Sequence, residues 1–176
     1  MSTSSSTSSS TSTRTGTSTR RPARPARPAL PALSAFESVD ATHREVIKLL
    51  SQLGQLVALL AEPDQQIAAA RRARFACTFF NGKARQHHDE EETKIFPRLL
   101  ESGDPQMREH VRRLQQDHNW IEEDWLELEP HLEAVAQGYA EGHEQFLRAA
   151  LPEFTTLYHE HMALEESLFH GTVPLR

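Results

Sequence analysis

Apolar side chains recur along this chain at the three- and four-residue spacing of amphipathic helices, in four long stretches. No stretch shows the run of alternating β-branched residues that is typical of a β-strand. Short connections containing Gly, Pro and Asp separate the stretches, so consecutive helices should run antiparallel. The pattern predicts an all-α fold, an antiparallel up-down-up-down four-helix bundle, whose helices begin near Ser34 or Ser38, Pro63 or Asp64, Asp104, and Glu141 to Glu144.

The inward stripe of each predicted helix is apolar except for one histidine, and two of the stripes also contain a glutamate one turn after that histidine. Burying imidazoles and carboxylates without partners costs several kcal/mol. In an antiparallel bundle all four histidines can lie at one depth, where a metal ion would satisfy them. The candidate ligands are His43, His87, Glu91, His118, His161 and Glu165.

This set is larger than a single tetrahedral zinc site requires. Two metal ions bridged by Glu91 and Glu165, each with two histidines, would use all six groups and leave open coordination positions. Mixed imidazole and carboxylate ligation suits iron or manganese. A bundle without metal, in which the buried His–Glu pairs satisfy one another, is the alternative, and such pairs are costly or at best neutral.

A second His-x-x-x-Glu pair, His88 and Glu92, competes with the first, shifted by one residue. The flanking apolar steps favour His87 and Glu91, and His88 is then predicted to be a neighbour of the ligands. The other histidines lie off the stripes and are predicted to be on the surface. They are His110, His131, His143, His159 and His170.

Further residues are expected to shape the bundle and the metal pocket. Three prolines predict irregularities: Pro97 a kink near Ile95, Pro130 a kink or interruption of the third helix after Glu129, and Pro152 a break early in the fourth. Tyr158 is predicted to be a core residue within reach of the cavity. The predicted walls of the metal pocket are Phe80, Ile95, Leu114, Trp125 and Leu157.

Composition changes this picture at the amino terminus. Residues 1–33 are rich in Ser, Thr, Arg and Pro and contain no acidic residue, which predicts a disordered tail before a bundle spanning residues 34–172. The formal charge is −6, and the bundle is more acidic than that because the tail is basic, which argues against nucleic-acid binding. A single cysteine, Cys77, and the lack of a long apolar run indicate a cytoplasmic protein without a membrane span.

The segment HHDEEETKIFPRL, together with YHEHMALEE and the isolated His43 and His118, resembles the hemerythrin-like HHE cation-binding domain family. The resemblance covers about residues 36–170. It implies a four-helix bundle holding a non-haem di-iron centre that binds O₂, NO or peroxide. The implied cofactor is two carboxylate-bridged iron ions, in preference to manganese or zinc. The implied ligands are the same six residues, by position.

The chain departs from oxygen-carrying hemerythrins at three places. Glu122 stands where those proteins have a histidine one turn after the third-helix histidine, and it is a possible additional ligand. Their last carboxylate comes five residues after the fourth-helix histidine, which here is Glu166, whereas helical spacing favours Glu165. The fourth-helix motif also lacks the Phe-Pro that ends the second-helix motif.

Three functions are compatible with these residues. The first is a binding protein for a small diatomic ligand or peroxide, serving oxygen or iron storage, sensing or detoxification. The second is a di-iron enzyme acting on peroxide or NO, with Glu122 as a proton donor. The third is an iron-storage or iron-responsive module without ligand chemistry.

Overall fold

The structure of the protein, a computed structural model, describes residues 33–171 and the side chains of residues 39–169. Every regular element within this range is helical. The predicted tail lies outside the described residues, apart from Leu33. Helix α1 spans Leu33–Leu60, helix α3 spans Pro105–Ala136 and helix α4 spans Glu144–Gly171. None of the helices in the described range is long and apolar enough to cross a lipid bilayer.

The second rod, which we call α2, follows a short 3₁₀ turn at Pro63–Gln65. Two of its segments are π-helical turns, in which hydrogen bonds reach five residues back instead of four and one additional residue is accommodated. The paired histidines lie between these two turns. The consecutive segments of α2 are Gln66–Phe79, then the π turn Phe80–Ala84, Arg85–Glu90, the π turn Glu91–Ile95, and Phe96–Leu100.

The rods pack as a closed ring, with α1 against α2, α2 against α3, α3 against α4 and α4 against α1. Short connections join neighbours in this ring, which confirms the predicted four-helix bundle. The start of α3 is also as predicted, because the Asp104 side chain accepts a hydrogen bond of 2.9 Å from the backbone N–H of Gln106. Gly103, with φ of 70°, adopts the left-handed conformation after the end of α2.

Two apolar clusters fill the described part of the bundle. One surrounds Trp125, Phe154 and Leu50, and the other surrounds Phe96 and Leu114. On α1, α2 and α3 the candidate histidine separates residues of the first cluster from residues of the second, and on α4 the first cluster ends at Met162, next to His161. The histidines therefore occupy one polar layer between two apolar regions.

The structure contains neither an interruption of α3 at Pro130 nor a break of α4 at Pro152, and the alternative prediction of a kink at Pro130 remains a prediction. Pro130 lies inside α3 and Pro152 lies inside α4, and both helices continue through them. Both prolines are exposed, so water can reach the carbonyl groups that lose an N–H partner. At Pro97 the predicted irregularity is present as the π turn that ends at Ile95. Ile47 of α1 is 49% exposed.

Candidate metal centre

Side chains from all four rods converge in the polar layer between the two apolar clusters. The side chain of His43 is 12% exposed. The other five candidates are buried, with residue exposures of 6% or less. The convergence that the sequence predicted is therefore present in the structure, and it involves His43, His87, Glu91, His118, His161 and Glu165.

The two carboxylates lie at the centre of this layer and face histidines on both sides. Glu91 Oε1 is 3.2 Å from His87 Nε2, and Glu91 Oε2 is 3.5 Å from His118 Nε2. Glu165 Oε2 is 3.1 Å from His43 Nε2, and its Oε1 is 3.3 Å from the Nε2 atom of the α4 histidine. Each carboxylate thus directs one oxygen toward each side, as a bridging ligand would.

The potential ligand atoms form groups in which all atoms lie within 4.8 Å of one another. Two of these groups share both carboxylates. The first group contains His43 and His87, and the second contains His118 and His161. A shared pair of carboxylates between two pairs of histidines is an arrangement that can hold two cations side by side.

Several buried polar atoms of this layer have no hydrogen-bond partner among the described residues. They are both oxygens of Glu91 and of Glu165, Nε2 of His118, and both ring nitrogens of His161. An unsatisfied buried polar group costs about 1–3 kcal/mol. Because these atoms are lone-pair donors gathered around common points, the donor set fits bound cations with mixed nitrogen and oxygen ligation.

The surroundings shift the pKa values of the histidines in opposite directions. Burial alone would lower the pKa of His43, but the carboxylates of Glu165 and Glu91 raise it to about 9. Burial lowers the pKa of His87 to about 3, and burial together with His161 lowers the pKa of His118 to about 3. Both of these imidazoles are therefore neutral at physiological pH, which is the form that ligates a metal.

The pKa values of the two central carboxyl groups are also shifted in opposite directions. Burial and the nearby Glu165 raise the pKa of Glu91 well above its ordinary value. Burial alone would raise the pKa of Glu165 too, but the imidazoles of His161 and His43 lower it well below the ordinary value. The two carboxyl groups therefore have pKa values shifted in opposite directions, and His43, whose pKa is raised to about 9, lies 3.1 Å from Glu165.

A carboxylate outside the central layer positions His118. Glu92 Oε1 is 2.8 Å from His118 Nδ1, which leaves the Nε2 atom facing Glu91. The ring of Phe96 stacks on the same imidazole at 5.6 Å. Hydrogen bonds of this kind fix the tautomer and the orientation of metal-ligating histidines. His88 and Glu92, the competing pair in the sequence, therefore do not act together at one point, because Glu92 contacts His118 of α3.

His88 lies closer to the centre than its predicted role as a neighbour suggests. Its ring stacks on His118 at 4.1 Å, and its Nε2 atom is 3.0 Å from the Tyr158 hydroxyl. Tyr158 therefore reaches the site as well as packing in the core. A single inward stripe selects only one residue of the pair. In the bundle α2 has a neighbour on each side, so His87 contacts α1 while His88 contacts α3 and α4.

The two acidic alternatives lie away from the central layer. Glu122, the possible additional ligand, is held by the Arg85 guanidinium, whose Nε atom is 3.0 Å from Glu122 Oε2. Its side chain is 41% exposed. Glu166 is exposed on α4, whereas Glu165 is fully buried between the histidines.

The residues predicted to wall the metal pocket are mostly buried, and the histidines predicted to be on the surface differ in exposure. Phe80, Ile95, Leu114 and Trp125 are buried, and Leu157 is half-buried. His110 and His159 are exposed. His131 and His143 are half-buried and their Nδ1 atoms are 3.0 Å apart. The side chain of His170 lies outside the described residues.

Solvent reaches the layer from the side of α1. A cavity of about 430 Å³ between α1 and α4 has His43 in its lining, together with Ile47, Met162 and Phe169. A smaller pocket of about 100 Å³ is lined in part by His87. Both openings adjoin the first histidine group.

A helical bundle with a buried layer of imidazoles and carboxylates belongs to the class of cation-binding helical proteins. The chain is a member of the Hemerythrin HHE cation binding domain family, and the match to this family covers residues 34–173. This confirms the resemblance seen in the sequence. The chain is also similar to an uncharacterized protein of Haemophilus influenzae, with 29% identity over 127 residues and 72% of each chain covered. No solved structure matches it.

Proposed function

We propose that this protein holds two iron ions and that the loaded centre binds O₂ or a related small ligand, NO or peroxide. Such binding would serve oxygen or iron storage, sensing or detoxification. The observation that carries the proposal is the placement of Glu91 and Glu165, each with one oxygen toward each histidine group. Carboxylates shared between two imidazole pairs suit a bridged pair of ions, and mixed ligation of this kind suits iron.

The accessible side of the centre supports binding of a small ligand. His43 lines the cavity between α1 and α4, and His87 lines the smaller pocket. The opposite side is covered by Phe96, which stacks on His118, and by the buried Tyr158. A diatomic ligand or peroxide would therefore arrive beside the His43 and His87 imidazoles, which are the candidate ligands that line these openings.

Protons of the metal-free centre must leave before the residues can act as ligands. His43 carries a proton at neutral pH because its pKa is raised to about 9, and burial together with Glu165 raises the pKa of the Glu91 carboxyl as well. Iron, when bound, supplies the redox chemistry that reversible binding of O₂ or NO requires. Arg85 holds Glu122 outside this layer, so the position of Glu122 does not favour the role of proton donor.

The proposal is tested by loading anaerobically purified protein with Fe(II) and measuring iron per chain and the visible spectrum before and after exposure to O₂, NO or peroxide. Two iron ions per chain are expected, with charge-transfer bands that appear in air and change with azide. A His43→Gln variant should lose the response, and a His110→Gln variant, altered at an exposed histidine, should keep it.

Three outcomes would overturn the proposal. Colourless protein that takes up only zinc would contradict the iron centre. Iron-loaded protein with a spectrum that none of the ligands changes would indicate storage or metal-dependent folding alone. Consumption of peroxide or NO much faster than by free iron would identify an enzyme instead of a binding protein.

A further inference from the structure

A pair of imidazoles outside the central layer joins the end of α3 to the start of α4. His131 lies in α3, about 20 Å along the helix axis from His118 at 1.5 Å per residue. His143 immediately precedes α4. The Nδ1 atoms of His131 and His143 are 3.0 Å apart, and both residues are half-buried. The pair is therefore a separate cluster of potential metal ligands, which the proposed iron centre does not use.

The geometry of this pair matches that of two candidate ligands in the central layer. The Nε2 atoms of His43 and His87 are also 3.0 Å apart. The rings of those two histidines have centroids 4.9 Å apart and an interplanar angle of 85°. For His131 and His143 the corresponding values are 5.0 Å and 75°. The second pair thus brings two ring nitrogens together in the same way as the first.

The surroundings hold both members of the pair in place. The ring of Phe146 stacks on His131 with centroids 3.9 Å apart and an interplanar angle of 13°, and Phe146 itself packs against the first apolar cluster. The backbone N–H of His143 donates a hydrogen bond of 3.1 Å to the Ala140 carbonyl, and its own carbonyl accepts one of 3.1 Å from the Leu147 N–H. Because the two rings are positioned before an ion arrives, less ordering is needed on binding.

The protonation of the pair is compatible with metal binding. Burial and the neighbouring His143 lower the pKa of His131, so this imidazole is neutral at physiological pH. Without a metal ion, one ring can donate its Nδ1–H to the lone pair of the other. When an ion binds, that proton moves to Nε2 of the same ring by exchange with water. Both rings stay neutral, and one hydrogen bond is replaced by two metal–nitrogen bonds without net loss of a proton.

The separation of the two nitrogens indicates the class of ion. Metal–nitrogen bonds of about 2.0–2.1 Å place two ligand atoms about 2.9 Å apart at a right angle and about 3.3 Å apart at the tetrahedral angle. The observed 3.0 Å is closer to the right angle, which suits the tetragonal sites of Cu(II) or Ni(II), and Cu(II) has the highest affinity in this series. Among the described residues, every group of three or more potential ligands lies in the central layer, so water would complete the coordination.

We propose that His131 and His143 form a second metal site, which binds a late first-row divalent cation, Cu(II) most tightly, between the end of α3 and the start of α4. The site goes beyond the proposed iron centre and does not depend on it, because the two share no residue. An ion bound to both imidazoles would link the two helices across the loop that joins them, and it would stabilise the folded chain by mass action.

The test counts the Cu(II) ions bound by the metal-free full chain of wild type, His131→Gln and His143→Gln. Each variant keeps the central layer and should bind one ion at least about tenfold more weakly than wild type does, because even loss of a group that only orients a ligand costs about 10–100-fold. His110→Gln, altered at an exposed histidine, is the matched control and should bind as wild type does. Equal Cu(II) binding by wild type and both variants would overturn the proposal and would show that the pair makes only a hydrogen bond.

A second measurement uses the wild-type chain alone, so the test does not depend on folding of the variants. Paramagnetic Cu(II) broadens nearby resonances in the nuclear magnetic resonance spectrum of ¹⁵N-labelled protein. The amide resonances of Gly142 and His143 should broaden when Cu(II) is added and recover when a chelator removes it. Unchanged resonances at both residues would overturn the proposal. Protein that shows this broadening but binds no iron would support the second site and contradict only the iron centre.

Discussion

Replacing Glu91 by methionine should make the metal-free protein more stable while removing its response to metal. The Glu91 carboxylate is fully buried, and neither oxygen has a hydrogen-bond partner among the described residues. Its pKa is raised by burial and by the negative charge of Glu165, so the group is unfavourable where it lies. Methionine has a similar length and flexible packing, and it buries no group that requires a hydrogen bond.

The size of the effect follows from the cost of the buried carboxyl. An unsatisfied buried polar group costs about 1–3 kcal/mol, and replacing buried ionisable groups by apolar ones is often stabilising by about 1–4 kcal/mol. We expect a gain of about 1–3 kcal/mol in the free energy of unfolding of metal-free Glu91→Met. For a domain of this size the Tm changes by about 2–4 °C per kcal/mol, so the metal-free variant should melt about 2–12 °C higher.

Bound metal should reverse the order of stability of the wild type and the Glu91→Met variant. A ligand present at 100 times its Kd stabilises the folded state by about 2.7 kcal/mol, and the wild type should gain at least this amount from iron. Glu91→Met lacks one of the two bridging carboxylates and should gain little. The prediction is therefore an inversion, in which the variant is the more stable protein with a chelator present and the less stable one with iron present.

Thermal melts followed by circular dichroism at pH 7, with chelator or with anaerobic Fe(II), measure both effects. The matched control is Glu123→Met, at an exposed position of α3, where the change in unfolding free energy should stay within about 0.5 kcal/mol. A metal-free Glu91→Met variant that melts below wild type would refute the reasoning. It would show that Glu91 makes a net stabilising contact with the histidines even without a cation.

Four other measurements probe the site and the core. Metal-free protein should lose stability in urea as the pH falls from 6.5 to 5, by about 1.6 kcal/mol for each of His87 and His118. Their folded-state pKa of about 3 lies below the unfolded value, so the unfolded chain binds more protons in this window. Equal stability at both pH values would contradict those pKa shifts. Glu92→Ala should weaken metal binding about 10–100-fold in a titration, because the contact that orients His118 is lost. Phe154→Ala should cost about 3–5 kcal/mol in denaturant unfolding, since Phe154 is fully buried. Ile47→Trp should slow stopped-flow uptake of a small ligand without changing iron content, because Ile47 lines the cavity beside His43; an unchanged rate would show that the ligand enters elsewhere.

The sequence by itself determined the bundle and most of the central layer. Helical periodicity is a local property, so the stripe that contains Phe80, Ala84 and Ile95 could be recognised without knowing any partner. The same stripe selected His87 and Glu91, and the structure places both in the layer. Their role as ligands remains a prediction. A histidine at a position that should be apolar can be recognised from the sequence alone, because burying an imidazole without a partner is unfavourable.

Only the tertiary structure decided which polar groups meet. Contacts between helices depend on the rotation and depth of each rod, and the two π turns change that rotation within α2. In the packed bundle His88 lies beside His118 and Glu92 contacts the same imidazole, and neither contact follows from the inward stripe of α2 alone. Arg85 removes Glu122 from the layer through a contact between rods. The reason is physical: periodicity defines the inward face of one helix, but only the packing of four helices defines where each face points.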